Sequence, residues 1–303
     1  MKNLFVVNPK AGKGKKALKF VQLIENYCRS VGEHYEIYIT KAQYDAIDFV
    51  KEYLSENSDA RVFACGGDGT LYDVVNGSVG FSNVSVGVIP LGSGNDFVRN
   101  FSQKENFLNF EKQFSGSEIT LDLIKCDGRY AINQCSMGLD AETGAKQAKY
   151  KKLPLVSGEF AFAVAAVDSL IKRHENYFRI QVDENEPYSM KLLFCLAANT
   201  KYYGGGYLAA PDANAKDGYI DLVTVENPGS RIKLLKLLPK YKKGEHKTWS
   251  ITKIVRCKKV FVEAAKEAAI NVDGECHYGR KTVFEIEKSA IRFIVPKGCV
   301  MKE

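Results

Sequence analysis

Arg61-Val62-Phe63-Ala64-Cys65-Gly66-Gly67-Asp68-Gly69-Thr70 is the stretch whose reading decides the fold. Its apolar half reads as a strand, and its polar half as a glycine turn that opens a helix. The glycines allow close backbone approach and positive φ. An acid at a strand's carboxyl end is costly to crowd among phosphates unless a cation shares the site. Mg²⁺ meets that need by bridging carboxylate oxygen, water and phosphate oxygen. The plainer reading is an Asx-type turn at a helix N-cap.

The same grammar repeats on either side. Leu4–Asn8 is a short apolar run that ends in Asn8-Pro9-Lys10-Ala11-Gly12-Lys13-Gly14-Lys15. Lys15–Val31 then repeats apolar residues at helical spacing, through Leu18, Val21, Leu23, Ile24 and Tyr27. Tyr35–Thr40 reads as a strand, Tyr44–Leu54 as a helix and Val84–Pro90 as a further strand. Strand–helix alternation with short turns implies a parallel sheet covered by helices, an α/β unit. Ligands of such sheets bind beyond the carboxyl ends of the strands.

Two more turns therefore matter. Backbone N–H groups of the Asn8–Lys15 turn, at the start of a helix, can grip phosphate oxygens. It is not a P-loop, because Pro9 stands five residues before Gly14 and Lys16 replaces Ser/Thr. Gly12, Gly14 and Ala17 fit G-x-G-x-x-A, but the second strand ends at Thr40 without the expected acid. The plain alternative is a strand–helix turn with solvated lysines. Pro90-Leu91-Gly92-Ser93-Gly94-Asn95-Asp96-Phe97 again ends a strand in glycines, a hydroxyl and an acid. Asp96 thus falls where it could share a metal or water network with Asp68. A capped helix start, with Ser93 or Asn95 as cap, is the alternative.

After about residue 120 the pattern changes. Tyr130–Leu139, Tyr177–Asp183, Met190–Asn199, Tyr219–Glu226, Trp249–Arg256, Lys259–Glu263, Ala268–Asp273, Thr282–Ile286 and Ile291–Val295 read as strands. Helices are expected over roughly Gly158–Arg173 and roughly Ser230–Lys243. The second half is read as a β-rich, sandwich-like domain. The domains are 1–125, with 290–303 returning to it, and 126–289.

Apolar residues make up 45% and charged residues 26% of 303, which excludes a disordered, fibrous or coiled-coil chain. The formal charge of +7 fits an anionic partner without selecting one. The eight cysteines form no Cys-x-x-Cys pair, and Met1-Lys2-Asn3-Leu4 lacks signal-peptide architecture. They are read as reduced thiols in a cytoplasmic protein. The purest apolar run, Phe160 to Val167, stops at Asp168, far short of the roughly 20 residues a span needs. His34, His174, His246 and His277 show no metal-ligand spacing. The basic residues are not interleaved with stacking aromatics, and no helix-turn-helix or RNP-like motif appears, so no nucleic-acid partner is expected.

The turns Asn8–Lys15, Gly66–Thr70 and Gly92–Phe97, in this order, resemble the diacylglycerol kinase catalytic domain family. That family includes soluble bacterial lipid kinases and the sphingosine and ceramide kinases. The likeness continues through Asn133, Gly138-Leu139-Asp140-Ala141, Ala210-Pro211-Asp212-Ala213, Asp217-Gly218-Tyr219-Ile220-Asp221 and Asp273-Gly274-Glu275. It implies a three-layer nucleotide-binding domain like those of NAD kinase and 6-phosphofructokinase, then a β-sandwich domain that takes the lipid, with the site in the interdomain cleft. ATP would be bound by Asn8, Pro9, Lys10, Ala11, Gly12, Thr40, Gly66, Gly67, Asp68, Gly69, Thr70 and Ser93. Asp68, Asp96 and Asp122 would hold the catalytic Mg²⁺ through water, and Glu275 would be the general base. Asp217, with the backbone carbonyls of Asn214 and Tyr219, would form a second, structural Mg²⁺ site. The chain departs from the family at Tyr72 and Asp73, where Asn and Glu are usual. It also departs at Ser93, where Thr is common, and at Gln43-Tyr44-Asp45-Ala46 after Thr40. These departures bear on nucleotide preference, not on reaction class.

The expected function is ATP- and Mg²⁺-dependent phosphorylation of a lipid hydroxyl, diacylglycerol to phosphatidic acid first, peripherally at the inner membrane face. The rivals are a kinase of a soluble acceptor such as NAD, and a decayed ATP- or lipid-binding regulator. Arg231–Lys247 carries seven Lys/Arg against one Glu, with Leu234, Leu235, Leu237 and Leu238. It reads equally as a helix lying on anionic phospholipid and as a core helix with solvated lysines. Lys146, Lys149, Lys151 and Lys152 carry the same ambiguity. Oligomeric state stays open, a homodimer included.

Overall fold

The computed structural model describes residues 1–13, 15–150, 164–165, 167–169 and 176–302. Two compact units emerge: Met1–Leu121 with Ser289–Glu303, and Asp122–Lys288. The division falls a few residues before the expected 125, and Asp122 opens the second unit.

In the first unit β1 (Lys2–Val7), β2 (Tyr35–Ile39), β3 (Ala60–Gly66) and β4 (Val84–Pro90) form a parallel sheet in the order β2-β1-β3-β4. The returning segment adds a parallel neighbour, pairing Arg292 with Ser85 and Phe293 with Val86. Side chains alternate across a strand. One face carries Phe5, Val7, Phe63, Cys65, Ile89 and Leu91. Against it lie Ala17, Ile24 and Cys28 of α1 (Lys15–Val31) and Phe110 and Phe114 of α4 (Phe110–Phe114). Phe5 and Phe63, opposite each other in register, stack at 4.9 Å between centroids. Burying each such ring contributes about 2–3 kcal/mol. α3 (Asp68–Ser78) packs on β3 and on α2 (Asp45–Glu56), completing the expected third layer.

The chain crosses to the second unit within β5 (Ser117–Cys126) and returns within the last strand. The second unit holds β6 (Arg129–Ala131), β7 (Gln134–Gly138), α5 (Leu139–Tyr150), β8 (Asn176–Val182) and β9 (Tyr188–Ala198). A small hairpin, β10 (Tyr202–Tyr203) with β11 (Tyr207–Leu208), follows. Then come β12 (Ile220–Glu226), α6 (Arg231–Lys242), β13 (Thr252–Cys257), β14 (Lys259–Val272) and β15 (Glu275–Val295). The pairings β13-β12-β9-β7-β14-β15 are antiparallel. β8 pairs the early halves of both β9 and β14, and β7 pairs their later halves. The pattern switch near 120 thus marks a β-rich unit, as read.

Several segments differ from the reading. Tyr130–Leu139 is two strands, broken where Ile132 and Asn133 turn toward Asp273. The two runs on each of β14 and β15 are single long strands. The expected helix over Gly158–Arg173 lies mostly outside the described residues, as do Gly14, Lys151, Lys152 and His174, and the side chain of Lys149. Lys146 forms an ion pair with Asp168 at 2.9 Å. Ser230 caps α6, its hydroxyl accepting from the Lys233 N–H at 3.4 Å. Leu234 and Leu238 of α6 pack on the unit's core with Trp249, while Lys233, Lys236, Lys240 and Leu235 face solvent. The core reading of this helix therefore holds for its Leu234–Leu238 face, while its lysines face solvent. No helix among the described residues is long and apolar enough to cross a membrane.

His246 is fully buried, its ring 4.6 Å from that of Tyr241. Its Nε2 bonds the Ala209 carbonyl at 2.8 Å, and its Nδ1 is buried without a hydrogen bond. Burial pulls its pKa below the ordinary value, against the hydrogen bond to Ala209. The unfolded chain binds the proton more readily, so stability present above pH ~6.5 is lost as pH falls below it. Between pH 7.5 and 5.5 the unfolding free energy of the wild type is expected to fall more steeply than that of His246→Gln. Parallel denaturation curves for the two proteins would refute a neutral buried imidazole.

Candidate functional site

The parallel sheet brings the sequence-predicted turns to one edge. Asn8, Thr40, Gly66 and Leu91 stand just beyond, or at, the carboxyl ends of β1, β2, β3 and β4. Backbone bonds lace them together: Asn8 N–H to Cys65 O at 3.0 Å, Thr40 N–H to Val7 O at 2.9 Å, and Leu91 N–H to Gly66 O at 2.8 Å. The Asn8 turn closes on itself, with Lys10 N–H donating to Asn8 Oδ1 at 2.9 Å and Ala11 N–H to Asn8 O at 3.1 Å. The Asn8 amide reaches the Thr70 hydroxyl at 3.5 Å. Pro9 is half-buried, Lys10 and Ser93 are exposed, and Gly12 takes the left-handed conformation at φ 59°.

The glycines of the Asp68 turn serve close approach, not positive φ. Gly67 has φ −98°, and Gly66, Gly67 and Gly69 are all absent from the left-handed region, which Asn95 occupies at φ 50° instead. A Cβ on Gly92 would lie 2.5 Å from the Gly67 Cα, so the two turns touch backbone to backbone. A Cβ on Gly94 would lie 2.9 Å from Asp68 Oδ2 and 3.7 Å from Asp96 Oδ2. Both carboxylates therefore border the same small space. Asp96 N–H donates to Asp68 Oδ1 at 2.7 Å, which fixes the Asp68 rotamer. Arg99 stands 3.3 Å from Asp96 Oδ1 and also donates to the Gly94 carbonyl.

Among the described residues no three His, Cys, Asp or Glu side chains gather into a ready-made metal cage. Mg²⁺ keeps several waters and commonly uses one or two carboxylates plus substrate phosphate. Asp68 and Asp96, meeting over Gly94, fit such an ion, and the glycine turns beside them fit a triphosphate.

The second unit holds the other predicted residues. Asp122, expected with Asp68 and Asp96, is buried and hydrogen-bonded within its own unit. Its N–H donates to Ala215 O at 2.7 Å, its Oδ2 accepts from Gly218 N–H at 2.7 Å, and its carbonyl accepts from Asn199 at 2.8 Å. These bonds make Asp122 an anchor of the 214–219 loop. In that loop Tyr219 N–H donates to Asp217 Oδ1 at 3.0 Å, while Asp217 Oδ2 pairs with Arg256. The Asn214 carbonyl accepts from Asp217 N–H at 3.3 Å. The chain's own groups thus already engage the Asp217 carboxylate and the Asn214 carbonyl.

Glu275 is half-buried at the start of β15, beyond the two-residue turn Asp273-Gly274, both of positive φ. Asp273 is the turn's fastener. Its carboxylate accepts from the N–H groups of Ile132, Asn133 and Gln134 at 2.6, 3.0 and 2.9 Å. His277 pairs with Asp127 at 3.1 Å, a contact internal to this unit.

One feature gave no signal in the sequence. An apolar pocket of about 570 Å³, part of it open to solvent, lies under α6. Leu139, Phe194, Val225, Leu237, Leu238 and Trp249 are among its walls, and Asp140, Tyr203 and Tyr241 form a polar patch in it. Asp140 accepts from Ser136 Oγ at 2.5 Å and from the Tyr203 hydroxyl, which also meets Tyr241 OH at 3.2 Å. Burial pushes the Asp140 pKa up, opposed by those two hydrogen bonds. Burial likewise pushes Tyr203 and Tyr241 well above the ordinary tyrosine value.

Comparison with known proteins agrees with this organisation. The profile of the family described as "Diacylglycerol kinase catalytic domain" matches residues 2–126. That of the "YegS C-terminal NAD kinase beta sandwich-like domain" matches residues 133–295. A protein of Staphylococcus saprophyticus named diacylglycerol kinase is 30% identical over 280 residues, covering 91% of this chain and 88% of that protein. A crystal structure of a diacylglycerol kinase from Bacillus anthracis superposes with a TM-score of 0.71 at 20% identity, covering 99% of this chain and 98% of that one. An NAD kinase from Archaeoglobus fulgidus, in complex with ATP, superposes with a TM-score of 0.55 at 14% identity, covering 98% and 94%. The two structures speak to fold alone.

Proposed function

The chain belongs to the diacylglycerol kinase family, and from that premise we propose that it transfers the γ-phosphoryl group of ATP to the hydroxyl of a membrane lipid, diacylglycerol above all. Phosphoryl transfer asks little covalent chemistry of a protein and much positioning and charge neutralisation. The Gly66–Thr70 turn offers backbone N–H groups to the phosphates, Thr40, Thr70 and Ser93 offer hydroxyls, and the Asn8–Gly12 turn packs beside them through the Asn8 contact to Thr70. Asp68 and Asp96 would hold Mg²⁺ through water. When bound, that ion would neutralise phosphate charge. Glu275 accepts the proton of the attacking hydroxyl. Asp122 has a different role in this reading, holding the 214–219 loop.

One observation favours a lipid over a water-soluble acceptor: the apolar pocket beneath α6. Its walls suit an acyl chain, and its Asp140–Tyr203–Tyr241 patch supplies a polar end. The outer face of α6 supports the same choice. Lys233, Lys236 and Lys240 face solvent there, and Leu235 is 42% exposed. Each basic residue near an anionic surface contributes about 1 kcal/mol of attraction.

The deciding experiment follows labelled γ-phosphate from ATP and Mg²⁺ to diacylglycerol, phosphatidylglycerol, ceramide, sphingosine and NAD, with the lipids in mixed micelles. Label on a lipid, diacylglycerol foremost, is the expected result. Label on NAD alone would overturn the lipid reading, and nucleotide binding with no product on any acceptor would point to a regulator.

A further inference from the structure

We infer that the guanidinium of Arg256 takes the place of a divalent cation at the Asp217 loop, so that this loop is held together without metal. The inference concerns the chain's own architecture and stands whatever the acceptor of the kinase reaction.

The loop presents oxygens in the manner of a cation site, and both oxygens of the Asp217 carboxylate and the carbonyl of Asn214 are engaged. Asp217 Oδ1 accepts from Tyr219 N–H at 3.0 Å and Asn214 Oδ1 from Lys216 N–H at 3.2 Å. The Asn214 carbonyl accepts from Asp217 N–H at 3.3 Å, and Asp217 Oδ2 pairs with Arg256. Mg²⁺ demands near-ideal octahedral geometry and close contacts to its oxygens. An ion reaching Asp217 Oδ2 would have to share that oxygen with the guanidinium or displace it.

Sheet register delivers Arg256 to this spot. β12 and β13 pair antiparallel with Asp221 opposite Arg256, four residues beyond Asp217. Arg256 also lies over the Tyr219 ring, 4.8 Å from its centroid. It thus answers two carboxylates and one aromatic face at once, a task suited to a planar, always-charged group. Asp221 is buried and its pKa is pushed up to about 6 by burial, with Arg256 pulling it down and Asp217 and Asp212 pushing it up. Lys258 and Lys288 add two more cations, each 5.7 Å from the same ring. A divalent ion approaching the loop meets three positive side chains and no unengaged carboxylate oxygen of Asp217.

The test counts ions. Mn²⁺ binding to nucleotide-free protein is followed by electron paramagnetic resonance for wild type, Asp217→Asn, Arg256→Ala and Arg256→Lys. Wild type and Asp217→Asn are expected to bind equal numbers of ions. Arg256→Ala, which leaves Asp217 and Asp221 without their cation, is expected to bind one more. Its unfolding midpoint, lowered in EDTA, is expected to rise with Mg²⁺ where that of wild type does not. Arg256→Lys keeps the charge and is expected to bind as wild type does. The inference is overturned if wild type binds one ion more than Asp217→Asn, or if Arg256→Ala folds and gains none.

Discussion

Asp68→Asn is expected to slow phosphoryl transfer about a thousandfold while leaving the fold intact. The argument runs from geometry to charge. Asp68 opens α3 directly after β3, and its Oδ1 accepts the Asp96 N–H at 2.7 Å. Asparagine keeps an oxygen for that bond, so the Gly92–Asp96 turn holds its place. What is lost is one negative charge beside the space over Gly94, where Asp68 Oδ2 and Asp96 Oδ2 both border. Asp96 is already partly countered by Arg99. Removing the Asp68 charge therefore removes most of what would order a cation between protein and phosphates. The rate should fall far more than the affinity for ATP, since backbone groups of the turns remain. Steady-state kinetics with thermal denaturation as the fold control checks this. Activity within tenfold of wild type would remove Asp68 from the machinery.

The first unit was legible because its signals are local. Each strand ends in its own glycine turn, and a parallel sheet puts all such ends on one edge. What the glycines do there was not legible. Gly92 and Gly94 are glycine because Gly67 and Asp68 press against them from another strand, a contact made across some 25 residues. The second unit was read with more error, for physical reasons. β14 looks like two strands because Glu263–Glu267 is polar, and the register with β15 shifts there. α5 went unread because Leu139–Tyr150 has few apolar residues at helical spacing. The pocket draws its walls from α5, β9, β12 and α6, and no single segment foretells it. The bonds that Asp122 makes to Ala215 and Gly218 gave no signal, because the sequence cannot place that loop beside it.

Glu275→Gln is expected to lower kcat by about 10²–10⁴-fold with little change in stability or in KM for ATP. A general base must stand rigidly where the acceptor proton leaves, and the hairpin supplies that rigidity. Val272 and Glu275 pair across the turn, while Asp273 and Gly274 take φ 50° and 98°. Two-residue turns of this kind match the twist of the strands they join. Gly274 N–H donates to Asn271 Oδ1 at 2.6 Å, and Asp273 fastens the turn to Ile132, Asn133 and Gln134. The neighbouring Cys276 thiol donates to the Ala141 carbonyl at 3.5 Å. These contacts are made by other groups of the hairpin, so an isosteric amide should preserve them. The amide cannot accept a proton, and the fall in kcat, read beside unchanged stability, measures that loss. Asp273→Asn is the contrasting variant, because it weakens the fastener and should lower stability and activity together. If Glu275→Gln keeps wild-type turnover, the proton leaves by another group. If it melts early, the residue supports the hairpin and the catalytic assignment fails.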